Sequence, residues 1–196
     1  MYIGKLNYQW YVVYTRVNQE KKIAQLLDEQ KIEFYLPVTK KLRHWCDRKK
    51  WIEEPLFKCY IFVRVSYKEF FKVKDMTGVV NYVSFGKTPQ SIPDTQLEDI
   101  KTIVKEREKE IVITRDRISK GIKAKVNFGP LKGIQGEIVK ICGHSRILIR
   151  IKAMGCCIHT NIAQDQVQVI ESETLNRNRN DIKCQLLYKK SLSTRV

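Results

Sequence analysis

The chain carries six cysteines (Cys46, Cys59, Cys142, Cys156, Cys157 and Cys184) but no Cys-x-x-Cys pair. Their irregular spacing fits no recognised zinc pattern and reads as free thiols, several packed as small hydrophobes in a reducing compartment. Cys142 with His144, and Cys157 with His159, each set a thiol and an imidazole two residues apart, on one face if the backbone is extended. The two pairs lack a recognised zinc spacing, so no metal or cofactor is expected. No apolar run approaches the ~20 residues that span a bilayer. The start, Met1 to Leu6, lacks the apolar stretch of a secretory leader, so a cytoplasmic location without membrane contact is expected. Acid is scarce: 21 Asp and Glu stand against 37 Lys and Arg, for a net charge of +16. Such a surplus attracts polyanions, nucleic acid first among them. There is no Ser-His-Asp set, no paired carboxylates beside a Gly-rich loop and no phosphate-binding loop, and the expectation is a protein that is not an enzyme.

With 196 residues and 43% hydrophobic content, the chain can hold one or two domains with true cores. Trp10 to Thr15 is an aromatic, β-branched strand. Asn18 stands as a helix cap before Ile23, Leu26, Leu27 and Gln30 at helical spacing. Phe34 to Val38 reads as a strand whose Pro37 marks an edge or an end. Lys40 to Trp51 is a basic loop with two tryptophans, six Lys or Arg and one Asp. Leu56 to Val65 is the most hydrophobic strand candidate. Tyr67 to Lys74 reads as a short helix, and Val79 to Val83 as a strand. Asp94 caps a helix bearing Leu97, Ile100, Ile103 and Val104 on one side. Residues from Ser172 hold few packing groups, which predicts a disordered tail. Charge is densest near the end of the folded part: residues 119–170 carry 8 basic and 2 acidic groups.

Residues 126–136 punctuate two alternating apolar runs with Gly129, Pro130, Gly133 and Gly136. Glycine permits positive φ and proline ends a ladder, so a tight turn between strands follows. The spacing Gly-Pro-x-x-Gly-x-x-Gly between Ile122–Val126 and Glu137–Ile141 resembles a KOW motif, a small β-barrel module. Upstream, Trp10-Tyr11-Val12-Val13 is similar to the opening strand of NusG-type N-terminal domains. Pro55-Leu56-Phe57-Lys58-Cys59-Tyr60-Ile61-Phe62-Val63 resembles that family's signature strand, with Lys58-Cys59 where the family has Pro-Gly or Pro-Asn. Gly78-Val79-Val80 and Ile92-Pro93 match later landmarks. Trp45-x-Asp47-Arg48-x-Lys50 is similar to the UpxY group of NusG paralogues, which acts on capsular polysaccharide operons.

The resemblance implies an α+β fold: an N-terminal antiparallel sheet flanked by helices, joined by a linker to a small C-terminal β-barrel. The expected divisions are a leader at 1–8, the NusG-type domain at 9–106, a linker at 107–118, the KOW barrel at 119–171 and a basic tail at 172–196. The implied function is transcription elongation or antitermination. The implied partner is the coiled clamp helices of the largest catalytic RNA polymerase subunit, held by an aromatic depression of Trp10, Tyr11, Phe57 and Tyr60; Tyr11 suits the core as well. Upstream or non-template DNA would meet Lys40, Lys41, Arg43, Arg48, Lys49 and Lys50, with Trp45 or Trp51 stacking on bases or packing on the sheet. Leu131, Ile134 and Met154 would meet a ribosomal protein or the termination factor Rho. They lack the aromatic character of the family's patch, which favours a specialised elongation factor. A monomer is expected. Two alternatives stay open: a housekeeping NusG that couples polymerase to Rho or the ribosome, and a ribosome-associated KOW protein binding RNA. In one paralogue the KOW segment refolds into helices. Here the β-branched content and six glycines between Gly121 and Gly155 disfavour that state.

Overall fold

The computed structural model describes residues 7–44, 49–86, 88–107, 110–114, 118–141 and 144–170. Strand β1 (Gln9–Thr15) occupies the aromatic, β-branched run. The chain then turns through Asn18, whose φ of +60° is left-handed, and α1 (Glu20–Glu29) starts behind Gln19. Asn18 therefore shapes the turn and is not the cap. Asparagine tolerates this backbone better than most residues. Ile23 and Leu27, one turn apart, are fully buried.

Strand β2 (Glu33–Tyr35) stops before Pro37, and β3 (Val38–His44) begins after it. β3 pairs antiparallel with β4 (Lys49–Pro55), from Val38 opposite Pro55 to His44 opposite Lys49. The expected basic loop is thus largely a two-stranded ribbon; Trp45, Asp47 and Arg48 lie outside the described residues. The expected strand from Leu56 to Val65 is shorter, because residues 56–59 turn and β5 covers only Tyr60–Val65. Cys59 sits at φ +65°, and its N–H donates to the buried Glu20 carboxylate at 2.7 Å. That bond to a charged acceptor offsets the strain of a non-glycine residue in the left-handed region.

Helix α2 (Tyr67–Lys74) opens on Ser66, whose N–H and hydroxyl both donate to Glu69. Short strands β6 (Val79–Tyr82), β7 (Ser84–Phe85), β8 (Thr88–Pro89) and β9 (Ser91–Ile92) lead to α3 (Asp94–Arg107). Then come β10 (Val112–Thr114), β11 (Ile122–Val126), β12 (Gln135–Ile141), β13 (His144–Ile151), β14 (Cys156–Asn161) and β15 (Val167–Val169). Gly129 and Gly133 supply φ of +85° and +97° in the β11–β12 turn, as that punctuation requires. At Gly121 a Cβ would fall 2.3 Å from the Ile138 carbonyl oxygen, so the strand entry passes too close for any side chain.

The first sheet runs β2-β5-β1-β6, with β9 also on β1, and every pairing is antiparallel. Strand alternation sorts its residues onto two faces. Val13, Ile61, Val63 and Val65 pack with Ile23 and Leu27 of α1 and Val73 of α2. Trp10, Val12, Phe62 and Ile92 pack with Leu97, Ile100 and Ile103 of α3. The second sheet runs β10-β14-β13-β12-β11-β15, also antiparallel throughout. Its core residues Ile147, Ile149, Ile151 and Ile158 belong to the same apolar cluster as α3. Helix α3 therefore lies between the two sheets. Gln96 Nε2 donates to the Arg150 carbonyl at 2.8 Å, which ties α3 to the second sheet.

The region expected as a linker contributes β10, paired to β14 with Val112 opposite His159 and Thr114 opposite Cys157. Arg150 fixes its far end. One Nη donates to the carbonyls of Ile118 and Ser119, both at 2.9 Å, and Nε donates to Glu137 at 2.8 Å. Burial acts to raise the Glu137 pKa, but the hydrogen bond from Arg150 and one from the Gly121 N–H hold it below the usual carboxylate range.

Candidate partner-docking cleft

The β3–β4 ribbon pairs over seven positions but joins neither larger sheet. A two-stranded ribbon alone is marginal in water, so its apolar side chains need a neighbour. Leu42 and Trp51 are register partners and share a face. They are 40% and 64% exposed. The root of the ribbon is fixed by the Leu56 N–H, which donates to the Pro37 carbonyl at 2.8 Å.

A cleft of about 1090 Å³ opens beside the ribbon. Thr39, Lys40, Lys41, Trp51 and Glu53 form one wall; Pro55, Leu56 and Lys58 line the root; Ile111 and Ile113 line it from the β10 segment. Five of these side chains are chiefly hydrocarbon and three are lysines facing one glutamate. Lys41 Nζ, in water, lies 3.9 Å from the mostly covered Glu54 carboxylate, a long contact of little energetic weight. An apolar trough with a basic border suits an amphipathic helix whose flanks are acidic.

The four aromatic residues expected to form one depression do not share a surface. Trp10 and Phe57 are 3% and 4% exposed and belong to the core. Phe57 meets Phe62 edge-on at 5.7 Å, and Lys101 Nζ sits 5.3 Å over the Trp10 ring. Tyr11 lies on the opposite sheet face, edge-on to Phe70 and Tyr82. Tyr60 is half-buried with its ring 5.4 Å from Tyr14. The concave apolar surface is instead the neighbouring one, in which Leu56 lines the cleft while the next residue, Phe57, packs inward. A turn sends consecutive side chains in different directions, and the one-letter pattern does not say which points out.

Of the expected basic residues, Lys40 and Lys41 line the cleft, and Lys49 and Lys50 are exposed on β4. Arg43 lies on β3, while Arg48 is outside the described residues. Leu131, Ile134 and Met154 are 2%, 2% and 9% exposed, so all three fill the core of the second sheet. The exposed aromatic beside the Gly-Pro turn is Phe128, at 68%. Its signal was an aromatic next to a turn glycine, where no strand alternation buries it. Ile111 and Ile113 were also missed as lining, because a charge-rich surrounding made them read as linker.

Two shifted titratable groups meet at α3, Asp99 on the helix and Tyr35 of β2 beside it. Burial raises the Asp99 pKa to about 6, against a weaker lowering by the Gln135 N–H. Burial, then the Glu98 charge, pushes Tyr35 up to about 12. Among the described residues no group of three or more His, Cys, Asp or Glu could hold a metal, and no helix is long and apolar enough to cross a membrane.

Residues 8–101 match the family described as "NusG: Transcription termination factor nusG". The chain is 23% identical over 145 residues to the "Transcription termination/antitermination protein NusG" of Chlamydia pneumoniae, covering 68% of this chain and 79% of that protein. Among solved structures, "Domain interaction in Thermotoga maritima NusG" is similar at 21% identity and a TM-score of 0.45, over 84% of this chain and 98% of that one. "Crystal Structure of MjSpt4:Spt5 complex conformation A" is similar at 16% identity and a TM-score of 0.28, over 84% and 99%. The matched residues supply the ribbon and the root of the cleft, whereas Ile111 and Ile113 lie beyond them.

Proposed function

We propose that this chain is a NusG-like transcription factor that docks on RNA polymerase through the cleft beside the β3–β4 ribbon. The observation that carries this reading is the exposure of Trp51 beside Leu56 in an apolar trough, within a NusG-family domain. The partner is the coiled helical pair of the polymerase clamp. Its apolar ridge would cover Trp51, Pro55 and Leu56, and its acidic flanks would face Lys40, Lys41 and Lys58. A helix buried in such a trough derives most of its affinity from a few large side chains near the centre. Binding that favours the closed clamp shifts the polymerase away from paused states, which is elongation or antitermination activity.

Lys49 and Lys50, exposed beyond the cleft, extend the basic border along β4. Together with Lys40, Lys41 and Arg43 they offer phosphate contacts to upstream or non-template DNA. The Trp45-x-Asp47-Arg48-x-Lys50 element supports a place beside the UpxY paralogues and so a polysaccharide operon as target. The second sheet reads as a KOW-type module. Phe128, an exposed aromatic on its turn, is the best-placed residue there to meet a second partner such as a ribosomal protein or Rho.

The test is direct titration of the clamp helical pair into the purified chain, alongside pause lifetimes on a purified elongation complex. Saturable binding and shortened pauses are expected, with both lost in Leu56→Asp. Ribosome association without any polymerase binding would transfer the function to the second sheet.

A further inference from the structure

We infer that Glu20 of α1 is a positioning residue for the docking cleft: its buried carboxylate holds the turn at Cys59 in the left-handed shape that presents Leu56 and Lys58 to the partner. The inference rests on the polymerase reading above and adds a residue that acts on that site from outside its lining. Glu20 is 4% exposed, and a carboxylate leaves water to that extent only with a partner. Its Oε1 accepts the Cys59 N–H at 2.7 Å, across 39 positions of sequence. Cys59 sits there at φ +65°. For a residue with a side chain that region carries a penalty worth about tenfold in population.

The ends of this turn are fixed without Glu20. The Leu56 N–H donates to the Pro37 carbonyl at 2.8 Å, and the Thr15 N–H donates to the Cys59 carbonyl at 2.9 Å. Its interior is held less well, because the bond that closes it, from the Tyr60 N–H to the Phe57 carbonyl, is long at 3.3 Å. Cys59 is the third of those four residues, the place where a turn that needs positive φ ordinarily has glycine. Within the turn Leu56 and Lys58 line the cleft while Phe57 is buried. Helix α1 packs on one face of the first sheet through Ile23 and Leu27, whereas Leu56 and Phe57 pack with the cluster on the other. The Glu20 carboxylate thus links the helix on one face to the docking residues on the other. Its loss frees Cys59 to return to negative φ, and Leu56 and Lys58 then lose their fixed direction. A site that is competent in only a fraction of molecules binds more weakly by that fraction.

Titration of the full chain with a fluorescently labelled synthetic clamp helical pair tests this. Wild type should bind the pair. Glu20→Ala should bind it about tenfold more weakly. Cys59→Gly should bind like wild type, because glycine takes positive φ without help. Adding Cys59→Gly to Glu20→Ala should restore binding to within about twofold of wild type. A residue that only stabilised the fold would give no such rescue. Glu20→Gln keeps an acceptor but replaces a charge-assisted bond with a neutral one, so it should bind about threefold more weakly. It is also the background for the same rescue should Glu20→Ala not fold. Binding by the Glu20 variants equal to wild type, or a loss that Cys59→Gly leaves uncorrected, would overturn the positioning role and leave cleft docking intact. No binding by wild type would remove the docking reading and this role with it.

Discussion

The β3–β4 ribbon and the C-terminal sheet are both antiparallel β-structure, yet they spend their apolar residues differently. In the C-terminal sheet Ile147, Leu148, Ile151 and Ile158 are wholly excluded from water. In the ribbon Trp51 and Leu42 remain largely exposed although their backbone is fully paired. Ladder hydrogen bonds are available to both, so pairing does not account for the difference. Layering does: the C-terminal sheet lies against α3, and the ribbon lies against an open cleft. In the proposed reading, the apolar surface held on this uncovered ribbon is what the partner covers.

The largest effect that sharpens this contrast is Ile158→Ala. A fully buried isoleucine lost from the shared core should cost about 2–5 kcal/mol in urea unfolding. A loss no larger than that of a surface change would mean the C-terminal sheet is not packed as described. Next comes Glu137→Ala, which removes the carboxylate that Arg150 grips while Arg150 stays partly buried. A cost of about 1–3 kcal/mol is expected, with faster exchange around Ser119 and Lys120.

The third effect depends on pH. The folded-state pKa of Asp99, about 6, lies above its ordinary value of 3.8, so the folded chain holds a proton that the unfolded chain gives up in between. Stability from this group is therefore present at low pH and falls as pH rises from about 4 through 6. Asp99→Asn should flatten that part of the stability profile; an unaltered slope would show that Asp99 is not held in the α3 interface. The smallest effect belongs to the ribbon. Trp51→Ala should shift stability by no more than about 0.5 kcal/mol, and a cost as large as that of Ile158→Ala would erase the contrast.

Much of this architecture was legible beforehand where one periodicity ran unbroken. The alternation of Trp10 to Thr15 gave β1, and the helical spacing of Leu97, Ile100 and Ile103 gave the buried stripe of α3. The signature run from Pro55 to Val63 includes Pro55, Leu56 and Lys58 of the cleft lining, and the basic residues Lys40 and Lys41 are exposed there. Legibility failed where one residue decides direction. The left-handed Cys59 breaks the expected long strand, and so Leu56 faces the cleft while Phe57 faces the core. Leu131 and Ile134 have the composition of a docking patch but fill the sheet interior, while Phe128, three residues before Leu131, stays in water. Ile111 and Ile113 reach the cleft lining only through the fold, because the pairing of β10 with β14 joins positions more than forty residues apart.

The most direct test is photocrosslinking from a benzophenone at position 51, with a control at Tyr67, an exposed aromatic on α2 at 81% that lies outside the cleft lining. In a reconstituted elongation complex, a crosslink from position 51 to the clamp helices of the largest polymerase subunit, with none from position 67, is the expected result. Crosslinking to those helices from position 67 alone would contradict docking through the cleft.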